Sequence, residues 1–462
     1  MSVVSRIPPA ARCAYPLRPG NVVRPLIEGS PAFERICEAV ESARHSLFLT
    51  VAFVERDLAM PGGRGTFFDV LDRAAARGVD VRALFWREPR FAELEPGESH
   101  FPGDADDRAF LEARGSGIAA RWDTLGGYCQ HQKTWLVDAG EASEVAFVGG
   151  INLTSDSVAA PGWPARPCGN LHDVYLELAG PAATDVHHNF VQRWNGASER
   201  GKPDGCWPDA SRADDLAPPT FVSPARGDVP VQITRTVRPG TYTGDLAAPG
   251  AKPFPIEEGE QSVLEQYLSA IAGAEHSILI VNQFFASPVV VEELRRALAR
   301  GVRVACIVPG RPLARVVEAR RDPRSAAFFE QVAELGAHEH FLFAGLCAPR
   351  GEGRYDEIYV HAKVMVVDDA WATVGSTNIA SQSFRHDTEM NASFWHEGEA
   401  RALREQLFVS ALGPHAAALS GADPAVAFDH LDATARRNLD RRALWQDTDG
   451  FVYALDPSQY GA

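Results

Sequence analysis

The sequence contains His131-Gln-Lys-Thr-Trp-Leu-Val-Asp138 and, 230 positions later, His361-Ala-Lys-Val-Met-Val-Val-Asp368. In both, the His-x-Lys triplet leads into an apolar run of strand length, which predicts a buried β-strand beginning at the motif. Residues i and i+2 of a strand point to the same face, so we expect Lys133 beside His131 and Lys363 beside His361. The two octapeptides therefore predict two equivalent strands, each presenting an imidazole and an ammonium group.

The residues before the two motifs repeat as well. The segment Ile36–Trp86 alternates amphipathic helices with apolar strands, and Leu268–Pro309 repeats that order. The pairs His45-Ser46 and His276-Ser277, at the joints between helix and strand, are 231 positions apart. Two independent landmarks share one offset to within a residue, which indicates a duplicated unit. Apolar strands alternating with helices are typical of α/β layers, so each half is predicted to be an α/β lobe.

Composition divides the chain further. The stretch Ser198–Asp228 is rich in Pro, Gly, Asp and Ser and predicts a surface linker, ordered against the body. A second irregular stretch, Arg87–Asp107, is expected to form a loop over the site, and a short helix is expected at His430–Trp445 before a loose tail. The predicted parts are a first lobe at 1–200, a linker at 201–230, a second lobe at 231–415 and a C-terminal helical appendix and tail at 416–462.

The net charge of the chain is −16. A nucleic-acid-binding protein ordinarily presents a basic face, so this charge argues against nucleic acid as a partner. The 7 scattered cysteines contain no Cys-x-x-Cys pair, which argues against a disulfide framework and a thiolate zinc site. We find neither the apolar core of a signal peptide nor a run long enough to cross a bilayer. We therefore expect a monomer that is cytoplasmic or bound peripherally to a membrane, with export by a non-classical route left open.

Lysine usage singles out the motifs. Lys and Arg together number 45, and only Lys133, Lys202, Lys252 and Lys363 are lysines. Two of these are the motif lysines. Positions that keep lysine in a chain that otherwise uses arginine are candidates for chemistry that needs a compact ammonium group.

Each motif is followed by a glycine-rich turn that ends in asparagine, Gly149-Gly-Ile-Asn152 and Gly375-Ser-Thr-Asn378. Glycine lets the backbone pass close to a ligand, and an Asn amide can donate to a phosphate oxygen. The residues expected to bind phosphate are Gly150, Asn152, Ser376 and Asn378.

This set of side chains suits cleavage of a phosphodiester without a metal ion or other cofactor. Lysine charge and amide donors offset the charge of the phosphate oxygens. One neutral imidazole attacks phosphorus, and the other, protonated, donates to the leaving alkoxide and then deprotonates water or an alcohol. Each imidazole needs an orienting carboxylate on its other nitrogen. The candidates are Asp173 in the first half and Glu389 or Asp387 in the second.

Other polar clusters have simpler interpretations. The doublet His187-His188 and the pair His338 and His340 are the alternative metal candidates, but no Cys or Asp pattern accompanies them, so surface histidines are predicted. A basic stretch predicts a solvated helix face, with docking to anionic lipid headgroups as the alternative. It contains Arg311, Arg315, Arg320 and Arg321.

The paired motifs, each with its downstream asparagine, resemble the signature of the phospholipase D superfamily. Four further stretches are similar to the eukaryotic-type branch, and the resemblance spans roughly residues 30 to 412. These stretches are Gly149–Leu153, His172–Trp194, Val281–Phe285 and Arg385–Glu389. Plant and animal relatives carry calcium-binding or phosphoinositide-binding lipid domains before the catalytic region, and we expect no such domain within this sequence. It also carries Gly150 where the second half has Ser376.

The resemblance implies two lobes related by a pseudo-twofold axis, each around a mixed, largely parallel sheet flanked by helices, with one active site at their interface. It implies His131 as the nucleophile and His361 as the general acid and base. The residues that it marks as catalytic are His131, Lys133, Asp138, His361, Lys363 and Asp368.

The expected function is hydrolysis of glycerophospholipids at a membrane surface, with headgroup exchange through the same intermediate. The alternatives on this scaffold are a cardiolipin synthase-like transferase, which usually carries N-terminal membrane helices, and a nuclease, which needs a basic groove. A non-catalytic lipid-binding module is a third alternative, and it predicts decay of one motif, whereas both are intact. Fold alone does not choose among these functions.

Overall fold

The structure, a computed structural model, describes residues 6–87, 101, 103, 105–123, 129–164, 169–197, 214–244 and 246–462. Within these residues the strands are β1 (Arg18–Ile27), β2 (Ser46–Val51), β3 (Asp80–Trp86), β4 (Ala119–Asp123), β5 (Thr134–Val137), β6 (Val145–Gly149), β7 (Leu171–His172), β8 (Val174–Ala179), β9 (Val229–Val237), β10 (Glu260–Gln261), β11 (Ser277–Asn282), β12 (Phe285–Ala286), β13 (Arg303–Ile307), β14 (Phe341–Pro349), β15 (Tyr355–Val360), β16 (Lys363–Val367), β17 (Trp371–Gly375), β18 (Ile379–Ala380), β19 (Glu389–Trp395) and β20 (Val452–Ala454). The helices are α1 (Gly29–Ser42), α2 (Phe67–Ala76), α3 (Ala105–Ala113), α4 (Ala183–Gly196), α5 (Ser262–Gly273), α6 (Pro288–Ala299), α7 (Ala314–Arg321), α8 (Ala326–Leu335), α9 (Ser381–Arg385), α10 (Glu397–Leu412) and α11 (Pro424–Ala443).

The first half forms a mixed sheet with the strand order β4-β3-β2-β5-β6-β8-β1. Strands β2, β3 and β4 are parallel, and the later neighbours in this order are antiparallel. Parallel strands need long crossovers, here supplied by helices, whereas β5 and β6 are joined by a short hairpin. The first motif thus lies at the start of an antiparallel hairpin, whose strand β5 is next to the three parallel strands.

The second half forms a sheet with the order β14-β13-β11-β16-β17-β19-β9 and the same sequence of parallel and antiparallel neighbours. Pairing between β1 and β9 joins the two sheets. The predicted mixed α/β fold with sheets flanked by helices is confirmed. The expectation of largely parallel sheets was wrong, because the hairpins that follow each motif make the rest of both sheets antiparallel. The gene duplication itself stays a prediction.

Three apolar layers hold these elements together. The outer face of the first sheet packs on α1 and α2, and the outer face of the second packs on α5, α6 and α8. A central layer lies between the two sheets and includes residues of α4, α10 and α11. The strand alternation is visible in β2, where Leu47 and Leu49 face the outer layer and Phe48 stacks on Phe190 at 4.8 Å. Burial of each such side chain contributes about 1.5–3 kcal/mol.

The C-terminal segment is part of the core, which corrects the predicted appendix and loose tail. Helix α11 begins at Pro424, where the Asp423 side chain accepts a backbone N–H, and its Leu431 is buried in the central layer. Strand β20 pairs with β14 and has three buried residues. A three-residue strand is too short to show periodicity in a sequence, which explains why the prediction missed it.

The predicted linker and loop are described only in part. Residues 198–213 of the linker lie outside the described residues, as do most of Arg87–Asp107. The described end of the linker is held on the first half, since Asp214 and Asp215 pair with Arg121 and the Asn195 amide bonds the backbone of Leu216. Among the described helices, none combines the length and apolar character needed to cross a membrane.

Candidate active site

Both motif histidines lie at the carboxyl ends of the parallel strands. Thr134 of β5 pairs with Thr50 of β2, so His131 lies just beyond the last residues of β2. Lys363 of β16 pairs with Asn282 of β11, which gives His361 the equivalent position. In open α/β sheets, ligands bind at this edge of the sheet. The topology therefore places both predicted motifs at the edge where a ligand site is expected.

The two histidines are oriented by carboxylates of the opposite halves. His131 Nδ1 lies 2.9 and 3.0 Å from the two carboxylate oxygens of Glu389, and His361 Nδ1 lies 2.5 Å from Asp173 Oδ2. The backbone repeats this exchange, because the N–H of His131 donates to the oxygen of Thr388 at 2.9 Å. A carboxylate on Nδ1 holds the ring and leaves Nε2 available for chemistry. Asp173 and Glu389 are thus in orienting positions, each for the histidine of the other half.

Asp387, the other candidate in the second half, does not orient a histidine. Its carboxylate accepts the backbone N–H of Cys129 at 3.0 Å and the amide of Gln382 at 2.9 Å. Asp387 lies before β19, and these two donors account for its Oδ1, whereas Glu389, the first residue of β19, faces His131. We infer that Asp387 holds the segment that leads into the first motif.

The two lysines are buried against the motif backbones. Lys133 Nζ donates to the oxygen of His131 at 2.9 Å, and Lys363 Nζ donates to the oxygen of His361 and to Gln283 Oε1, the latter at 3.2 Å. Burial lowers the pKa of both ammonium groups, and together with the nearby charge of Lys133 it brings the pKa of Lys363 to about 7. Two buried ammonium groups whose charges act on each other form a site that favours an anion.

The same burial and charges act on the imidazoles. Burial first, and then the charges of Lys133 and Lys363, lowers the pKa of His131 well below its ordinary value. Burial and the Lys363 charge lower the pKa of His361 to about 3, although Asp173 opposes this shift. Both rings are therefore neutral at pH 7 when the site is empty.

The two orienting carboxylates differ in their proton affinity. Burial alone would raise the pKa of Asp173, but its interaction and hydrogen bond with His361 and the charge of Lys363 outweigh burial and bring the pKa below its usual value. Burial raises the pKa of Glu389 to about 7, against the opposing charge of Lys133. Asp173 is thus ionised at neutral pH, while Glu389 is partly protonated.

The glycine-rich turns contribute two amides. The side-chain oxygens of Asn152 and Asn378 are buried and have no hydrogen-bond partner within the described part of the chain. A buried polar group without a partner is costly, and it marks a place where a ligand can supply the missing bond. Since an Asn side chain can be placed with either its oxygen or its nitrogen forward, each can present a donor to a phosphate.

Ser376 and Gly150 lie against the two orienting carboxylates, whereas the sequence predicted that they bind phosphate. Ser376 Oγ donates to Glu389 Oε2 at 2.5 Å and accepts the N–H of Met390 at 3.1 Å, so it orients the carboxylate and its predicted contact with phosphate is corrected. A Cβ at Gly150 would lie 2.5 Å from Asp173 Oδ1 and 3.0 Å from Lys363 Cδ. The first half carries glycine here because a serine would collide with the shorter carboxylate that serves His361.

The motif aspartates lie away from the reacting atoms, which corrects their assignment as catalytic residues. Asp138 Oδ1 accepts the backbone N–H groups of Arg44 and His45 at 2.9 and 2.8 Å, and Ser143 donates to its other oxygen at 2.8 Å. Asp368 binds the corresponding joint of the second half, including the N–H of His276 at 2.8 Å. A strand rises about 3.3 Å per residue, so seven positions place each aspartate about 20 Å from its histidine.

A buried polar network supports the first motif from behind. Gln132 accepts from Asn189 at 2.8 Å and from Arg193 at 3.3 Å, and its own amide donates to the oxygen of Glu389 at 3.2 Å. Arg193 also pairs with Asp123 at 2.8 Å. Sequence reasoning did not assign Gln132 a role. The only available signal was a polar residue between two motif residues, on the face that a strand turns towards the core.

The second half contributes an aromatic and cationic wall. Phe284 is buried, and the guanidinium carbon of Arg315 lies 3.9 Å from its ring centroid. The charge of Arg315 also contributes to the lowered pKa of His131 and of Lys363. Arg315 therefore belongs to the surroundings of the site, which corrects the interpretation of its stretch as only a solvated helix face.

The alternative metal candidates do not form a cluster. Among the residues that the structure describes, no three His, Cys, Asp or Glu side chains are grouped so as to hold a metal ion. His188 is buried, with Nδ1 3.1 Å from the Tyr15 hydroxyl and Nε2 2.9 Å from the oxygen of Leu246. The prediction of a surface histidine was wrong for His188, because α4 turns this residue towards Tyr15 and Leu246.

Comparisons with known proteins found similar sequences and a similar fold. A family model described as "Cardiolipin synthase, PLD-like domain" matches residues 267–408. Phospholipase D alpha 2 of Oryza sativa subsp. japonica is 26% identical over 82% of this chain and 61% of its own length. Cardiolipin synthase A of Pseudomonas aeruginosa is 26% identical over 86% of this chain and 69% of its own length. The cardiolipin synthase of Clostridium perfringens is 24% identical over 61% of this chain and 49% of its own length.

A solved structure shares the fold. The phosphatidylserine synthase of Haemophilus influenzae Rd KW20 superposes with a TM-score of 0.54, at 12% identity, over 84% of this chain and 85% of that one. Fold and motifs together define a mixed α/β protein in which two His-x-Lys motifs meet at one site. These similarities support the chain's membership of the phospholipase D superfamily. Plant phospholipases D and bacterial cardiolipin synthases match it equally well, so its branch within the superfamily stays a prediction.

Proposed function

We propose that the protein is a phospholipase D-type phosphodiesterase that transfers a phosphatidyl group through a covalent phosphohistidine, without a metal ion. One observation carries this proposal. The exchanged pairs His131–Glu389 and His361–Asp173 bring two imidazoles, each held by a carboxylate on Nδ1, into one site with two buried lysines. A double displacement needs one histidine to attack phosphorus and one to transfer protons.

The different carboxylates support different roles for the two histidines. Asp173 is ionised and stabilises an imidazolium on His361, as a general acid requires. Glu389 is partly protonated at neutral pH and stabilises an imidazolium less, so His131 stays neutral and keeps a nucleophilic Nε2. A bound phosphodiester adds negative charge beside both lysines, which opposes the charges that otherwise keep His361 unprotonated.

The reaction then has two steps. His131 Nε2 attacks phosphorus, the bond from phosphorus to the headgroup oxygen breaks, and His361 gives its Nε2 proton to that oxygen. In the second step His361 takes a proton from water or an alcohol, whose oxygen attacks phosphorus while the bond to His131 breaks. Water gives phosphatidate and an alcohol gives an exchanged phospholipid. Proton transfer of this kind contributes roughly 10²–10⁴-fold to the rate.

Charge and donors for the phosphate come from both halves. Lys133 and Lys363 supply the positive charge, and the side-chain amides of Asn152 and Asn378, whose oxygens have no partner among the described residues, supply donors in the proposed complex. Preorganised donors of this kind stabilise the charge that develops on phosphate oxygens in the transition state. Because these groups supply the charge, the proposed mechanism needs no metal ion.

A glycerophospholipid at a membrane surface is the proposed substrate. The relatives are named for phospholipase D and cardiolipin synthase activity, which supports a lipid. The chain carries a net charge of −16, which disfavours the nucleic-acid alternative. The plant phospholipase D and the Clostridium perfringens cardiolipin synthase are longer proteins, of which this chain spans 61% and 49%, so their whole activity comes to this chain only as part of the proposal.

A cardiolipin synthase-like transferase is the second candidate. The observation that favours it is the family model that matches residues 267–408, described by that activity. Both candidates share the first step. They differ in the acceptor, which is water or a small alcohol in one case and the glycerol hydroxyl of a second lipid in the other.

The test is a headgroup-release assay on vesicles of phosphatidylcholine, phosphatidylethanolamine or phosphatidylglycerol, each with and without ethanol. We expect headgroup release from at least one lipid, and phosphatidylethanol when ethanol is present, because alcohol intercepts the covalent intermediate. Cardiolipin formed from phosphatidylglycerol alone would favour the second candidate. Cleavage of bis(p-nitrophenyl) phosphate or DNA with no lipid turnover would overturn the lipid assignment.

A matched pair of variants controls this assay. His131→Ala removes the proposed nucleophile and should abolish turnover, whereas His276→Ala changes an exposed histidine at the far end of the second sheet and should leave it unchanged. Wild-type rates in His131→Ala would contradict the mechanism.

A further inference from the structure

A buried glutamate lies behind the orienting aspartate. Glu28 connects β1 to α1, is 0% exposed and has a φ of +70°, a left-handed conformation that non-glycine residues rarely adopt. Such backbone strain persists only where surrounding contacts hold it, and it concentrates at functional sites. Sequence reasoning gave this residue no role.

Glu28 holds two consecutive residues at the junction of β7 and β8. Its carboxylate accepts from His172 Nδ1 at 2.8 Å, and its backbone N–H donates to the oxygen of Asp173 at 2.9 Å. Ser410 Oγ lies 3.3 Å from the same carboxylate oxygen, while the other oxygen is buried without a hydrogen-bond partner in the part of the chain that the structure describes. Glu28 therefore binds the segment His172-Asp173 through both its side chain and its backbone.

The segment His172-Asp173 contacts the second motif directly. The oxygen of His172 accepts the N–H groups of His361 and Ala362 at 2.8 and 2.9 Å, and Asp173 holds His361 Nδ1. A continuous set of contacts thus leads from Glu28 through His172 and Asp173 to the imidazole of His361. In metal sites, removing a group that hydrogen-bonds a metal-binding side chain typically costs roughly 10–100-fold in activity, and we expect a similar effect here.

The other half lacks this arrangement. Thr388 has the place equivalent to His172, because it precedes the carboxylate and accepts the N–H of His131 at 2.9 Å. Its hydroxyl is buried and has no hydrogen-bond partner among the described residues. The ionisable pair of Glu28 and His172 therefore supports the carboxylate that orients His361. A threonine occupies the equivalent place beside the carboxylate that orients His131.

We propose that Glu28 and His172 are positioning residues that align Asp173 with His361 and so assign proton transfer to the histidine of the second half. This inference rests on the proposed function. Charged groups face this pair from several elements: Glu28 and Asp173 face His172, and Asp173, Lys363 and Lys133 face His361. Glu28 raises the pKa of His172 despite its burial, in agreement with a proton held between the two side chains.

The test compares two leaving groups on one phosphatidyl group. Choline leaves as an alkoxide that needs a proton, whereas p-nitrophenolate leaves without one. In single-turnover assays with phosphatidylcholine, or whichever lipid of the panel the wild type cleaves, Glu28→Gln and His172→Gln should lose roughly 10–100-fold. The burst of p-nitrophenolate from phosphatidyl-p-nitrophenol should stay within about threefold of wild type, because that step needs no general acid. The double variant should lose no more than either single variant, because the two residues act as one unit.

Glu144→Gln is the matched control. Glu144 is also a buried glutamate of the first half, but it holds Gly140 and Ser223 at the opposite end of the sheet. It should leave both rates unchanged. If Glu28→Gln is unfolded by circular dichroism, His172→Gln decides the question.

Equal losses for the two leaving groups would show a general structural role and overturn the proposal, as would no loss for either. A wild-type protein that cleaves neither lipid would overturn the proposed function together with this inference. An active wild type with unaffected variants would overturn the inference alone.

Discussion

The carboxylate of Asp173 lies 2.5 Å from Nδ1 of His361, a residue 188 positions later in the chain. The reciprocal pair joins His131 to Glu389 over 258 positions. Neither histidine is held by a carboxylate of its own half. Since each half carries a group that the other needs, the site exists only when both halves are packed together. This exchange makes one asymmetric site from two similar motifs.

The asymmetry predicts unequal losses when the two carboxylates are neutralised. Asp173→Asn removes the charge that stabilises an imidazolium on His361, so we expect headgroup release to fall roughly 10²–10⁴-fold. Glu389→Gln should cost roughly 10-fold, because Glu389 is already partly protonated near pH 7. Single-turnover headgroup release measures both. A larger loss in Glu389→Gln would reverse the proposed roles.

Gly150 should not tolerate the serine that its counterpart carries. Gly150→Ser places a Cβ within 2.5 Å of Asp173 Oδ1, so we expect it to displace that carboxylate and lower headgroup release at least roughly 10-fold. The reciprocal variant Ser376→Gly leaves the fold unstrained and removes one hydrogen bond to Glu389, so a smaller loss is expected. Equal rates for wild type and Gly150→Ser would refute the proposed collision.

The motif aspartates should affect stability more than catalysis. In Asp138→Asn, bonds to three backbone N–H groups and to Ser143 are weakened, and we expect the free energy of unfolding to fall by about 1–3 kcal/mol. Headgroup release at a temperature where the variant is folded should stay near wild type. A variant with wild-type stability and no activity would restore the catalytic assignment.

The pH dependence of stability offers a second check on Asp138. Its backbone and Ser143 hydrogen bonds outweigh burial and hold its folded-state pKa below the ordinary value. The stabilisation is therefore present above the unfolded pKa of about 3.9 and is lost as the pH falls through the lower folded-state pKa. In urea unfolding, the difference in free energy of unfolding between wild type and Asp138→Asn should narrow below about pH 4. A constant difference across this pH range would contradict the assignment of the stabilisation to the ionised Asp138 carboxylate.

Lys363 should set an alkaline limb in the pH profile of kcat/KM. Its pKa of about 7 means that the free enzyme loses an ammonium charge as the pH rises through neutrality, and the affinity for the anionic transition state falls with it. Lys363→Arg keeps a permanent charge, so its limb should move to higher pH, at a lower plateau because the geometry differs. Lys252→Arg, an exposed control, should keep the wild-type profile. If the alkaline limb of the kcat/KM profile is unchanged in Lys363→Arg, the limb reflects the titration of Glu389 and not of Lys363.

The sequence was informative where the signal is local. The apolar runs after His131 and His361 predicted strands β5 and β16, and the repeated helix and strand pattern predicted the mixed α/β fold. The spacing of His and Lys also predicted that Lys133 and Lys363 lie beside their histidines. All of these follow from the periodicity of a few neighbouring residues.

The remaining features depend on contacts between distant segments. The exchange of Asp173 and Glu389 between halves arises from how the segments before them pair with the segments before His361 and His131. The glycine at position 150 was visible in the sequence, but its reason, the nearby Asp173 carboxylate, was not. Glu28 gave no signal because its role rests on burial and a backbone conformation that sequence patterns do not report.

The most direct test of the central claim is to trap the covalent intermediate. His361→Asn leaves the proposed nucleophile in place and removes the group that activates water for the second step. After reaction with phosphatidyl-p-nitrophenol and rapid quenching at alkaline pH, which preserves phosphoramidates, peptide mass spectrometry should find a phosphatidyl group on His131, with one p-nitrophenolate released per protein. A phosphatidyl group on another residue, or p-nitrophenolate release in repeated turnovers with no adduct, would contradict the account.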